Sequence, residues 1–388
     1  MDKEQQWRLA YVLPNLQLES PIEFDGLAFV PNSDPRLGPI RASNKASRGL
    51  LDGFKDTGGT QLRPAAAIHI SPTTITNLME AMVDARNCFA LACVLNGWKI
   101  SIGELNNFLI RDSDYFDFYP RWPSDDGKNL CYLGPALEWV SPVPTNFTAQ
   151  AHPYILPSNP RFSRPEPDEE LFPNLCKIWR RIHVTRKARP ADYRRLRSLS
   201  IAYEACRVPQ GMDNPLYDHG KHCSFWVSAL ETLAHPTRKR VTLREVLLLL
   251  EKRPMRDPCI NRKRLTVIKW AKKKGGRERM ALNLVQRLYK RLYDARNAFL
   301  HGNKLSIKIF IPSGLREGIR LLDVAPLIYL TALEAGIGQR QPRALRSKNL
   351  TTRMCALIES SFRRNVLEDA FCRAMGFDQP AKRQRVVD

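Results

Sequence analysis

Apolar positions follow two patterns along this chain, and the change between them divides it. Up to about residue 140 they come in short stretches, near Arg8–Leu13, Ile22–Val30, Ala66–Ile70 and Leu130–Val140. Pro, Gly, Asn and Asp bound these stretches, which is the punctuation of strands. One helix interrupts them. Ser71-Pro72 opens it, Leu78, Met82, Ala85, Phe89 and Ala92 recur at helical spacing, and Asn96-Gly97 closes it. Beyond about residue 165 the period becomes three to four. Glu169–Val184, Ala191–Arg207, Cys223–Ala234, Leu243–Lys252, Arg277–His301, Asp323–Glu334 and Leu350–Met375 are expected as helices, with strand pattern confined to Ser306–Ile311. No internal repeat is present; the short echo of 84–91 in 294–301 lacks the histidine of the second copy.

The expected fold class is therefore an α+β N-terminal domain followed by an all-α helical bundle. The α+β domain spans residues 1–140 and a Pro-rich linker residues 141–165. A basic helical domain takes residues 166–376, and a basic disordered tail residues 377–388.

Charge sharpens this division. Residues 1–164 hold 15 Lys and Arg against 17 Asp and Glu, leaving 46 of the 61 basic and 22 of the 39 acidic groups to the rest. The whole excess of +22 sits in the helical part, which makes a polyanion, nucleic acid above all, the expected partner. A hydrophobic content of 43% excludes global disorder, and the densest apolar run, Val246–Leu250, is far too short to span a membrane. The start, MDKEQQWRLAYVLPNL, lacks the basic and then apolar order of a secretory signal. Nine cysteines, an odd number without a CxxC pair, read as reduced thiols. A cytoplasmic protein without cofactor or metal is expected.

The informative segment runs from Arg287 to Asn303. Ala281, Leu284, Val285, Leu288, Leu292, Ala295 and Phe299 mark one buried helix face, with Arg296, Asn297 and His301 beside or off it. Gly302 follows directly, as at a helix end that turns left-handed. Five residues separate Arg296 from His301, which puts them about 140° apart on an ideal helix. Either the last turn unwinds, or each residue meets a counterpart from a second chain across a two-fold axis. Both arrangements place a guanidinium and an imidazole near one phosphate. That pair suits RNA cleavage without metal, with His as acid or base and Arg as a fork of donors to phosphoryl oxygens.

The stretch YDARNAFLHG, with Tyr293 ahead of Arg296 and Gly302 after His301, resembles the R-[polar]-x3-H signature of HEPN-domain ribonucleases, in its ApeA-like branch. CSFWVSALETLAHP, at 223–236, is similar to an earlier helix of that branch, and the resemblance covers roughly residues 166–376. It implies an all-helical domain that homodimerises with its active site at the interface. It implies metal-independent endoribonuclease activity that leaves 2′,3′-cyclic phosphate and 5′-hydroxyl ends, in a toxin or antiviral effector. Carried over, Arg296 would hold the phosphoryl group, His301 would act as acid or base, and Asn297 would orient the site. The alternative within the family is a non-catalytic nucleic-acid-binding or dimerisation module.

Further residues join on weaker grounds. Glu231 is a candidate to orient Arg296 or His301, or else a surface acid paired with a nearby base; Tyr293 stands as possible support. Arg262, Lys263 and Arg264, with Lys272, Lys273 and Lys274 ahead of the motif helix, form a candidate RNA-backbone clamp, the alternative being a solvated loop. Trp270 and Tyr289 are candidates for base stacking, though aromatics at helical spacing are more often core. His219, His222 and Cys223 invite a metal reading but lack a fourth ligand. Such an effector would stay silent until a trigger ligand reaches the N-terminal domain, or be held inactive by a separate antitoxin.

Overall fold

The computed structural model of the chain describes residues 6–56, 58–102, 112–133, 138–143, 147–148, 165–207, 215–236, 241–269, 277–304, 306–311, 313–338 and 349–377. They group into two compact units, Met1–Gly97 with Phe108–Leu196, and Trp98–Asn107 with Arg197–Asp388. Among the described residues no helix is long and apolar enough to cross a membrane.

The first unit is mixed α and β. Its strands are β1 (Gln6–Leu13), β2 (Ile22–Phe24), β3 (Leu27–Val30), β4 (Phe54–Lys55), β5 (Ala65–Ser71), β6 (Trp122–Pro123), β7 (Asn129–Leu133), β8 (Glu138–Pro142) and β9 (Phe147–Thr148). Helices α1 (Leu37–Ser43), α2 (Lys45–Asp52), α3 (Leu78–Ser101) and α4 (Leu171–His183) accompany them, with α3 from residue 98 on and α5 (Pro190–Arg207) from residue 197 on grouping with the second unit. An antiparallel sheet runs in the order β1-β5-β3-β2, and β6-β7-β8 form a second. Gly26, at φ 80°, supplies the left-handed residue of the tight β2–β3 turn. Asn96 and Gly97 do not end α3, which continues to Ser101. From Cys88 to Leu95 it is buried on every side, and that packing outweighs the weak helix preference of one glycine.

Two expectations of the division shift. Phe147, inside the stretch read as linker, is fully buried and stacks on Phe54 with ring centroids 4.9 Å apart. Residues 144–146 and 149–164 of that stretch lie outside the described residues, as do residues 378–388 of the tail. Helix α4 and the start of α5 group with the first unit. The reason is a buried aromatic anchor: the Trp179 indole donates to the Ala81 carbonyl at 2.7 Å and packs on Phe24.

The second unit is mostly helical. It holds α6 (Pro215–Ala234), α7 (Leu243–Glu251), α8 (Pro258–Asn261), α9 (Leu284–Leu300), α10 (Ile307–Phe310), α11 (Leu321–Ile337) and α12 (Leu350–Met375). Helices α6, α7, α9 and α11 all touch one another and form the core, with α11 buried from Leu321 to Leu333. Two elements correct the expectation of helices alone. Arg277–Leu282 is not the start of a long helix but strand β11, paired antiparallel with β10 (Arg264–Lys269). The run Ser306–Ile311 is not a strand: it forms the single turn α10, whose Phe310 is buried against the His219 ring. A short apolar run fits either period, so tertiary packing decided it.

Candidate functional site

The suspected catalytic residues sit on α9, and the sequence fixes both its ends. At the start, the Asn283 side chain accepts from the Gln286 N–H and the Gln286 side chain accepts from the Asn283 N–H, both at 3.0 Å. Gln286 is itself buried and donates to the Leu247 carbonyl at 2.9 Å, pinning α9 to α7. At the other end Asn303 N–H donates to Ala298 O at 2.9 Å and Gly302 N–H to Phe299 O at 3.1 Å, with Gly302 at φ 68°. This is a Schellman ending, which leaves His301 as the terminal cap. The last turn therefore does not unwind.

Helix α6 lies close against α9. A Cβ on Gly220 would stand 2.2 Å from the Phe299 ring, so only glycine permits the approach. Leu284, Val285, Leu288, Leu292 and Ala295 are buried as the periodicity requires, Phe299 is half-buried, and Ala281 lies exposed on β11. Tyr289 is fully buried and so is no stacking platform for bases.

Arg296 is held on the α6 side. Its Nη1 donates to Asn297 Oδ1 at 3.0 Å, its Nη2 reaches Glu231 Oε2 at 3.5 Å, and its guanidinium lies 5.9 Å from the Tyr293 ring centre. The contact with Glu231 is an ion pair at the limit of hydrogen-bond distance. Burial raises the Glu231 carboxyl above the usual range, and the Arg296 charge only partly opposes this. Among the described residues, Arg296 Nε and the Tyr289 hydroxyl are buried without a hydrogen-bond partner. His301 is exposed, and its ring makes no hydrogen bond among the described residues. Within one chain the structure thus gathers Arg296, Asn297, Glu231 and Tyr293, and leaves His301 apart at the helix end. Leu300, Ile307 and Ile311, each about half exposed, lie close to it in sequence.

Arg262, Lys263 and Arg264 are all exposed, at the end of α8 and the start of β10. Lys263 is engaged by Glu251 at 2.8 Å. Lys272, Lys273, Lys274 and Trp270 lie outside the described residues. Two arginines that sequence reasoning passed over belong with this cluster. Burial lowers the Arg287 pKa, and the charges of Arg264 and Arg291 lower it further. Their i, i+4 spacing on α9 is the pattern that could have found them.

The histidines at 219 and 222 serve packing. The Trp226 indole donates to His222 Nε2 at 3.0 Å, and burial pushes that imidazole down to about 4. Among the described residues no three His, Cys, Asp or Glu side chains gather as metal ligands. No family model, curated protein or solved structure matches the chain.

Proposed function

We propose that the chain is a metal-independent endoribonuclease of the HEPN type, with the ApeA-like branch as its nearest likeness, acting as a homodimer in the cytoplasm. One observation carries the reading: α9 is rigidly capped at both ends, holds Arg296 and Asn297 beside α6, and ends on an exposed His301 whose ring is uncommitted. The core of α6, α7, α9 and α11 is the kind of helical bundle the resemblance implies. Arg296 and His301 point apart within a chain, so a second copy brings them to one phosphate, with Leu300, Ile307 and Ile311 as apolar contact at the shared face.

The chemistry follows from the groups. His301 takes the proton of an RNA 2′-hydroxyl, and the oxygen attacks the adjacent phosphorus. Arg296 steadies the charge on the phosphoryl oxygens, and Asn297 fixes the guanidinium. The 5′-oxygen leaves and takes up the proton held by the His301 imidazolium, giving a 5′-hydroxyl and a 2′,3′-cyclic phosphate. Arg262, Arg264, Arg287 and Arg291 hold the RNA backbone. An antiviral effector or toxin, silent until triggered, is the setting that fits. A non-catalytic binding or dimerisation module is the second reading, favoured by the turn of Arg296 toward Glu231.

The test is cleavage of mixed cellular RNA in EDTA by the full chain. Wild type should cut and leave cyclic phosphate ends, while Arg296→Ala and His301→Ala each lose about 10²–10⁴-fold in rate with unchanged melting. If RNA stays intact, protection of cells under phage challenge is compared next. Equal protection by wild type and His301→Ala retires the catalytic reading.

A further inference from the structure

In the first unit, a cleft of about 560 Å³ runs along β1, and every residue from Gln6 to Tyr11 lines it. Six consecutive lining residues mean that the strand's backbone edge, and not just one face, borders the space. β1 is the outer strand of its sheet, with β5 on its other side.

The register says which backbone groups point into that space. Ile70 N–H donates to Gly26 O at 3.0 Å, so Ile70 turns its backbone groups toward β3. Its β1 partner Trp7 therefore turns N–H and C=O away from β5, and Leu9, opposite Ile68, does the same two residues on. The bulge at Ala10 follows, and beyond it Val12 O, again on the outer side, accepts from Tyr119 N–H at 2.9 Å. No backbone partner outside the sheet is present for Trp7 or Leu9 among the described residues. Two outward residues at i and i+2 are the unit with which an added strand pairs.

The cleft walls fit a peptide in that position. Met79, 45% exposed, and the partly exposed Trp122 offer apolar surface to side chains on one face of an added strand. Arg8 and Asp125, both exposed lining residues, have no ion-pair partner among the described residues and offer one charge of each sign.

We propose that this cleft binds an extended peptide segment of a partner protein, which adds as a strand to the β1 edge at Trp7 and Leu9 and alternates apolar with charged side chains. The inference concerns a different unit from the nuclease reading and stands or falls without it.

The experiment pans a displayed library of random heptapeptides on the full chain and measures the selected peptide by fluorescence polarisation. Two synthetic forms carry Nα-methyl groups on alternate residues. One form should lose at least about tenfold in affinity while the other binds as before, since only one set of N–H groups faces β1. Trp7→Pro removes one outward N–H on an open edge and should lose affinity similarly at unchanged melting temperature. If that variant melts early, the methylation pattern decides by itself. Equal binding of both methylated forms overturns the proposal. So does a library that yields no binder, or saturable binding of ATP that competes with the peptide and is lost in Trp122→Ala.

Discussion

Two acids, Asp192 buried in the first unit and Glu231 partly buried in the second, show how the same ingredients give opposite results. Asp192, in the first unit, accepts from Arg181 at 2.7 and 2.9 Å, from Arg195 at 2.8 Å and from the Arg189 N–H at 3.1 Å. Burial alone would raise its pKa, but these donors and charges overcome burial and hold the carboxyl below its usual range. Glu231, in the second unit, has one arginine at 3.5 Å, and burial wins. Beside it, Arg296 Nε and the Tyr289 hydroxyl are buried and, among the described residues, unanswered. A fully answered acid is a structural fastening. A polar group left half-answered is what the proposed site would offer to a substrate or a second chain.

The largest effect that tests this contrast is complementation. Arg296→Ala and His301→Ala, each inactive alone, are co-expressed so that mixed dimers form. If one site takes Arg296 from one chain and His301 from the other, half the dimers hold one intact site of two, and activity should recover to about a quarter of wild type. Mixed dimers that stay as inactive as either parent sink the two-chain arrangement.

Next comes the structural acid. Asp192→Asn removes the buried counter-charge of Arg195 and of the more exposed Arg181 and should destabilise the chain by about 3 kcal/mol in chemical denaturation. A loss below about 1 kcal/mol, the scale of a surface pair, would mean that Asp192 is no fastening.

How much of this was legible beforehand follows the same physics. Periodicity carried most helices of the second half, and Gly302 announced the end of α9, because both are written locally. The Glu231–Arg296 approach was foreseen only as one of two options; a helix surface does not say which neighbour it meets. Arg277–Leu282 reads as helix by composition and became a strand because β10 offers a pairing edge, a partner no local pattern reveals. Likewise Trp179 sits in a basic, helical stretch, and only the Ala81 carbonyl it reaches assigns α4 to the first unit. Arg287 and Arg291 read as ordinary arginines of a basic helix, and only the fold brings the Arg264 charge to bear on Arg287.

His222 extends the contrast to a base. Its imidazole is held neutral by burial, and its pKa falls from 6.5 to about 4. Such a group contributes stability that is fully present above 6.5 and is lost as pH falls through about 4, because the unfolded chain takes up the proton first. The loss across that window is at most about 3 kcal/mol. His222→Gln, less stable at pH 7, should show a flatter acid limb. An acid limb as steep as wild type would remove His222 as its cause.

The smallest effect separates the two acids most directly. Glu231→Gln keeps an acceptor near Arg296 and drops a poorly paired charge, so stability at neutral pH should change by less than about 1 kcal/mol. Its sign with pH is the sharper reading. A carboxyl raised above its ordinary 4.5 favours the folded chain below that value, and the benefit is lost as pH rises through the folded pKa. Glu231→Gln should therefore gain on wild type as pH rises. Asp192 is lowered from 3.8, so its contribution is present above that value and lost as pH falls through the folded pKa. Asp192→Asn should therefore lose ground to wild type as pH rises. Melting both variants between about pH 3 and 7 compares the slopes in one experiment. Opposite signs keep one acid as fastening and the other as part of a site, whereas equal signs make Glu231 another structural partner of its arginine.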